Sequence, residues 1–285
     1  MSGRLLRFWW LLKRSFIGSY EDGCFGLAKA AAYSGLLSFI PVLTAVAALL
    51  VQFNAERVSR RLSEFLFVVV PPGTEDLVQY GFERRGERPV YLLVTATLLS
   101  LWAASGLMET LMEGFRAVYR IPNGRHFVRQ RLVAIGLVLI AAAPVLMASF
   151  VMILGGRLER SVFHALGFLP VGEQMKGWVL IVGALARYAI SLSAIALATA
   201  GLFYFGPNRR QRWGLVFPGA LLSTNLWLIS TIFFAWYVRN IANYNVMYGS
   251  IGAVIALLVW MYVLAVIALI GCEYNAERER MLRSD

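Results

Sequence analysis

Six apolar runs, at about residues 27–53, 89–108, 132–154, 178–205, 213–237 and 248–272, dominate the chain. About 20 residues of helix cross the ~30 Å hydrocarbon core of a bilayer, and each run meets that length. The runs are rich in Leu, Ala, Val and Ile without strict alternation, which selects helices over barrel strands of about 10 residues. A helix in lipid satisfies its own backbone donors and acceptors, so the pattern restricts the chain to a bundle of membrane helices. Composition agrees: 59% of the residues are apolar before the 25 glycines are counted, 15% are charged, and the mean hydropathy is +0.66. Soluble domains hold about 45–50% apolar residues with glycine included and about 25% charged ones. A water-soluble globule of this length cannot bury the surplus, and a disordered chain lacks such aromatic and aliphatic content. The expected fold class is all-α, a polytopic membrane protein with six transmembrane helices.

The segments between the runs give two amphipathic helices. Residues 5–12 are apolar but broken by Arg7 and followed by Lys13 and Arg14, the pattern of a helix lying in the membrane interface. In the longest loop, 54–88, Val58, Leu62, Phe65, Leu66 and Val69 recur at helical spacing until Pro71, Pro72 and Gly73 end the run. This helix either covers the spans or closes a cavity as a lid. The expected organisation is an amphipathic N-terminal segment (1–26), a six-helix membrane domain (27–273, with the outer loop 54–88) and a tail (274–285).

Lys and Arg in the connecting segments set the orientation. With the N-terminus inside, the inner segments carry fifteen and the outer loops ten, and six of those ten share the loop 54–88 with six acids. Both termini are therefore expected in the cytoplasm. The net charge of +11 follows from these loops. The basic residues form no single face, so nucleic acid is not an expected partner. The two cysteines, Cys24 and Cys272, border the first and last spans and fit no metal or disulfide framework.

Several segments together resemble the YihY/virulence factor BrkB family of bacterial inner-membrane proteins. The first span, AKAAAYSGLLSFIPVLTAVAALL at 28–50, places Tyr33, Ser38 and Pro41 as that family does. Gly206, Pro207 and Asn208 precede the basic residues of a short inner loop, and Pro218, Gly219 and Ala220 follow in the fifth span. The last span, YGSIGAVIALLVWMYVLAVIALIGCE at 248–273, ends on Gly271 and Glu273 in a Gly-x-Glu pattern. The resemblance covers about residues 20–280. It implies six membrane helices with cytoplasmic termini and a role in transport, and it treats the family's older label, ribonuclease BN, as a misassignment.

A metal-dependent nuclease needs several His, Asp or Glu ligands on one or two cations. This chain has two histidines, His126 and His164, which the topology puts on opposite sides of the membrane, and neither lies in an H-x-H or H-E-x-x-H pattern. A Walker-type loop and a G-x-S-x-G elbow are missing as well. The expectation is a protein without enzymatic activity, cofactor or metal.

Charges inside membrane spans are expensive and mark either function or internal pairing. Arg187 lies nine residues into the fourth run, about 13 Å below its outer end at ~1.5 Å per residue. Thr44, Ser100 and Asn225 fall at the same level of their own spans, and no carboxylate does. Arg187, Asn225, Ser100 and Thr44 thus form the candidate binding set for an anionic or polar solute or a lipid headgroup. At the cytoplasmic end, Lys29, Glu109 and Glu273 share one level, where pairing of Lys29 with one of the two acids is expected. Pro41, Pro144 and Pro218 kink their helices, and Gly249, Gly252, Ala253 and Ala256 offer a close helix approach. Two functions compete: a transporter-like protein with a cavity at Arg187, and a structural or partner-binding protein of the envelope. The bilayer is the expected partner in both.

Overall fold

A computed structural model describes residues 2–52, 90–144, 147, 177–240 and 249–284. Seven helices and no strands occur among the described residues: α1 (Ser2–Glu21), α2 (Cys24–Gln52), α3 (Val90–Val118), α4 (Phe127–Pro144), α5 (Gly177–Phe205), α6 (Trp213–Asn240) and α7 (Gly249–Ser284). By length and composition four of these qualify as membrane spans, at Phe127–Pro144, Val182–Phe205, Trp213–Tyr237 and Val254–Arg283. The first two apolar runs fall on α2 and α3, each 29 residues long. The amphipathic stretch at 55–70 and the loop holding His164 lie outside the described residues.

Two helices continue well past their apolar runs. α3 continues ten residues past 108, and α7 runs twelve past 272, because Glu and Arg are good helix formers and nothing in 273–284 breaks the pattern. α7 is the hub, packed against α1, α2, α3 and α6, while α5 lies against α6. The buried core gathers at one end of the bundle, where Ala28 and Ala31 of α2, Phe115 of α3, Phe203 of α5 and Ala268 and Cys272 of α7 meet. Small residues dominate it because helices in lipid associate by close packing rather than by hiding apolar surface. Leu137 of α4 joins through Met112 and Leu202. Outward, Leu99, Leu185, Tyr188, Ile232 and Phe233 are all more than 60% exposed, the surface that lipid covers.

Two of the turns at this end depend on left-handed residues. α1 passes into α2 through Gly23 at φ +69°, a conformation glycine adopts without cost. α3 closes with a Schellman motif, in which the Ile121 N–H donates to Arg116 O at 3.0 Å and the Arg120 N–H to Ala117 O at 2.9 Å. The left-handed position is Arg120 itself, φ +51°, the single non-glycine residue of that kind among the described residues. A side chain there carries a backbone cost of about 1–2 kcal/mol. Its guanidinium reaches Asp22, 3.3 Å away in the other turn, which ties the two turns together.

Candidate functional site

Where the helices meet at this end, every residue of α7 from Gly271 to Glu277 is buried, three of them polar. Glu273 is wholly buried. Its Oε1 accepts a hydrogen bond from Arg280 Nη1 at 2.9 Å, while its Oε2 has no hydrogen-bond partner among the described residues. The same Nη1 donates to Glu277 Oε1 at 2.6 Å, and Nη2 donates to Val118 O at 2.7 Å. Arg280 thus neutralises two acids and places a positive charge at the C-terminus of α3, where the helix dipole favours one. Arg14 of α1 stands 3.7 Å from Glu277, and Gly18 of α1 packs so closely on the Glu273 carboxyl that a Cβ there would lie 2.8 Å from Oε1. Arg280 and the two acids that it pairs with therefore join α1, α3 and α7.

A parallel arrangement holds α5 and α6. Arg125 Nη1 donates to Gly206 O at 2.7 Å, and its Nη2 to Phe205 O and Pro207 O at 2.7 and 3.0 Å, capping α5. Burial and the nearby Arg129 both lower the Arg125 pKa, and three carbonyl dipoles offset that cost. Arg209 pairs with Glu279 and lies 4.2 Å above the Tyr119 ring. Burial pushes the Tyr119 phenol well above its ordinary range, against the pull of Arg209, so it stays protonated. Tyr119, Arg209, Glu279, Arg280 and Arg283 border a small cleft of about 140 Å³.

The proline of α6 explains a third set of contacts. Pro218 has no N–H, so Gly214 O loses its partner within the helix. Arg278 Nη1 donates to that carbonyl at 3.3 Å. One residue on, Gly219 N–H donates to Asn275 Oδ1 at 2.7 Å, while Asn275 Nδ2 donates to Val216 O at 2.9 Å. Further along, Ser223 Oγ donates to Ile267 O and Trp227 Nε1 to Leu264 O. Side chains of each helix thus bond the backbone of the other. The approach is close enough that a Cβ on Gly219 would overlap Gly271 O, and one on Gly271 would overlap the Ser223 hydroxyl.

Of the residues singled out from the sequence, Glu109 and Glu273 do hold ion pairs, but with arginines. Glu109 pairs with Arg131, which also sits 3.9 Å from the Trp102 ring and donates to Trp102 O at 2.9 Å. Lys29 is exposed on α2 and makes no ion pair among the described residues. The acids are paired instead by Arg131, one residue before the third apolar run, and by Arg280, on the extension of α7 past the last run. Arg187 is half-buried on α5. Its face includes buried Gly183 and half-buried Ser191, whose inward Oγ has no hydrogen-bond partner among the described residues, while Leu185, Ala186, Tyr188, Ala189 and Ile190 are exposed. Ser100 is buried, its hydroxyl donating to Thr97 O at 2.8 Å. Asn225 is exposed on α6, bonded to Leu221 O of its own helix. The side chain of Thr44 lies outside those described. Among the described residues no group of three His, Cys, Asp or Glu is placed to hold a metal ion.

Long apolar helices with an outer apolar surface, joined at one end by buried arginine–acid pairs, define an integral, all-helical membrane protein. The sequence profile of the family described as Virulence factor BrkB matches residues 16–285, and the chain belongs to that family. Among its relatives, a protein of Bacillus subtilis described as ribonuclease-like, YfkH, is 29% identical over 65% of this chain and 65% of its own length. The UPF0761 membrane protein VV0203 of Vibrio vulnificus is 23% identical over 87% of this chain and 76% of its own. The UPF0761 membrane protein RSc1559 of Ralstonia nicotianae is 27% identical over 96% of this chain and 61% of its own. This chain therefore spans just under two thirds of two of these three relatives. No solved structure matches the chain.

Proposed function

We propose that the chain is a transporter-like protein of the bacterial inner membrane, with six spans and both termini in the cytoplasm. It binds or moves an anionic or polar solute or lipid headgroup along a path between helices that passes Arg187. The observation that carries this reading is the Gly183–Arg187–Ser191 stripe: it is the less exposed side of an otherwise exposed stretch of α5, and it includes a buried hydroxyl with no hydrogen-bond partner among the described residues. Buried polar groups are nearly always satisfied by protein or water, so an orphaned hydroxyl one turn from a guanidinium supports a polar path there. Thr44 and Ser100 share the proposed level on other spans, while Asn225 at that level stands on the exposed side of α6. The charged junction around Glu273 serves as the cytoplasmic closure, because its paired arginines and acids tie α1, α3 and α7 together there.

A ribonuclease role, carried by the description of YfkH, is not part of this reading, since the two histidines His126 and His164 lie in no metal-binding pattern. Flux of a panel of organic and inorganic anions, and of labelled phospholipids, in proteoliposomes tests the proposal. Movement of at least one class above protein-free vesicles is expected. If none moves, the structural role in the envelope takes its place. Reporter fusions at His164 and Asp285 test the topology, and opposite compartments are expected.

A further inference from the structure

Helix α1 has two faces that avoid water, and the bundle covers only one. Leu11, Ser15, Gly18 and Ser19 are buried. Phe8 meets Tyr274 of α7 at 6.2 Å between ring centroids. Around the opposite side stand Phe16, Trp9, Tyr20, Leu6, Ile17 and Trp10, from 37% to 76% exposed. At 3.6 residues per turn these six cover an arc of about 120°. Lys13 lies within the arc, and Arg14 and Arg7 follow at one edge. Glu21 is the sole acid of the helix, against Arg4, Arg7, Lys13 and Arg14.

The place of α1 in the fold identifies what covers this face. α1 packs on α7 beside Glu273 and Tyr274, at the level where the core helices carry their ion pairs. The stacked pair Tyr204 and Trp213, 4.5 Å apart, lies at the same end, on the last turn of α5 and the first of α6. Aromatic side chains with a polar tip gather at the membrane–water boundary, and lysine or arginine stems reach from there to the headgroups. A soluble partner gains little from an aromatic face studded with three cations, whereas a bilayer rich in anionic lipid satisfies both features.

We propose that the outer face of α1 docks into the headgroup region of its own leaflet and recruits anionic phospholipid through Arg7, Lys13 and Arg14. Because Gly18 lies against the Glu273 carboxyl, docking also presses α1 onto the buried junction.

The test uses the full-length protein in vesicles of phosphatidylcholine alone or with phosphatidylglycerol, each lipid brominated in turn. The signal of Trp9 and Trp10 is isolated by subtracting that of a Trp9→Phe/Trp10→Phe variant, which keeps both apolar positions. Quenching by brominated phosphatidylglycerol, stronger than by brominated phosphatidylcholine at equal content, is expected. Arg7→Glu/Lys13→Glu changes exposed positions only and should lower that preference about tenfold or more, given the attraction of basic residues to an anionic surface. Lost quenching with melting behaviour unchanged supports the proposal. Three outcomes overturn it: quenching of the pair by aqueous iodide instead of lipid bromine, equal quenching by both lipids with no effect of charge reversal, or protection from both quenchers with dimers found by light scattering.

Discussion

Arg280 and Glu273 stand seven residues apart on α7, two turns along one helix, and their ion pair is closed at 2.9 Å around a carboxyl that solvent does not reach. The pair is neither local decoration nor independent of the rest. The second terminal nitrogen of the same guanidinium ends α3 at Val118, and α1 packs at Gly18 on the very carboxyl oxygen that accepts from Arg280.

Removing the cation is therefore expected to hurt more than removing the acid's charge. Breaking a buried pair from one side costs about 3–5 kcal/mol, and the low end applies because the Arg280 side chain is 36% exposed. Arg280→Ala should cost about 3 kcal/mol, and Glu273→Gln, which can still accept from Arg280, less than about 2. The double variant should recover part of the Arg280→Ala loss. Thermal unfolding in a mild detergent measures all three, and an Arg280→Ala no worse than Glu273→Gln contradicts the arrangement.

Asn275 completes the backbone that Pro218 disrupts, and no other residue type presents a donor and an acceptor at those two positions in the same shape. Asn275→Leu leaves the Gly219 N–H and Val216 O without their partner in a buried place, at about 1–3 kcal/mol each. Asn275→Asp keeps the acceptor and loses the donor, so it should fall between. Equal stability of Leu and Asn at this position shows that the bridge does not hold α6 to α7.

Much of this was legible in the chain. The apolar runs foretold helices at 27–53 and 213–237 within a few residues, because a bilayer demands length and apolarity and little else. Counting along the spans singled out Glu109 and Glu273, and both hold ion pairs. Their partners were not legible, since Arg131 directly precedes the third run and counted only as loop charge, and Arg280 lies on an extension of α7 whose end no hydropathy pattern marks. The motifs read as family likeness turned out to have physical work at one junction. Gly206 packs where a Cβ would meet the Phe115 ring, Gly271 lies against Ser223, and Glu273 carries the ion pair. Which small residues face a neighbouring helix depends on its rotation, and a single sequence does not encode that rotation openly. The binding level was read from depth alone, so it grouped Asn225 with Arg187 although Asn225 turns to the exposed side of α6.

The two thiols should be silent. Cys24 precedes the apolar run of α2 and is 2% exposed; burial above all, with Glu273 and Asp22 near it, pushes its pKa up to about 12. Cys272 is fully buried. A thiolate is the reactive form, so neither should react with maleimide in the folded protein from pH 7 to about 9. Both should react after denaturation, and mass spectrometry of the intact protein counts the adducts. Rapid labelling of Cys24 under native conditions means that the α1–α2 junction opens.

Arg187 carries the central claim, and flux in proteoliposomes with Arg187→Ala, Arg187→Lys and Arg187→Leu tests it most directly. A guanidinium inside a span, facing protein, draws anions through a field that the low-dielectric surround screens weakly. The account predicts loss of anion flux by tenfold or more in Arg187→Ala, partial return in Arg187→Lys, and insertion and melting close to the unaltered protein in both. Full flux and unchanged stability in Arg187→Leu contradict it, because the residue would then be neither a site nor a buried structural charge.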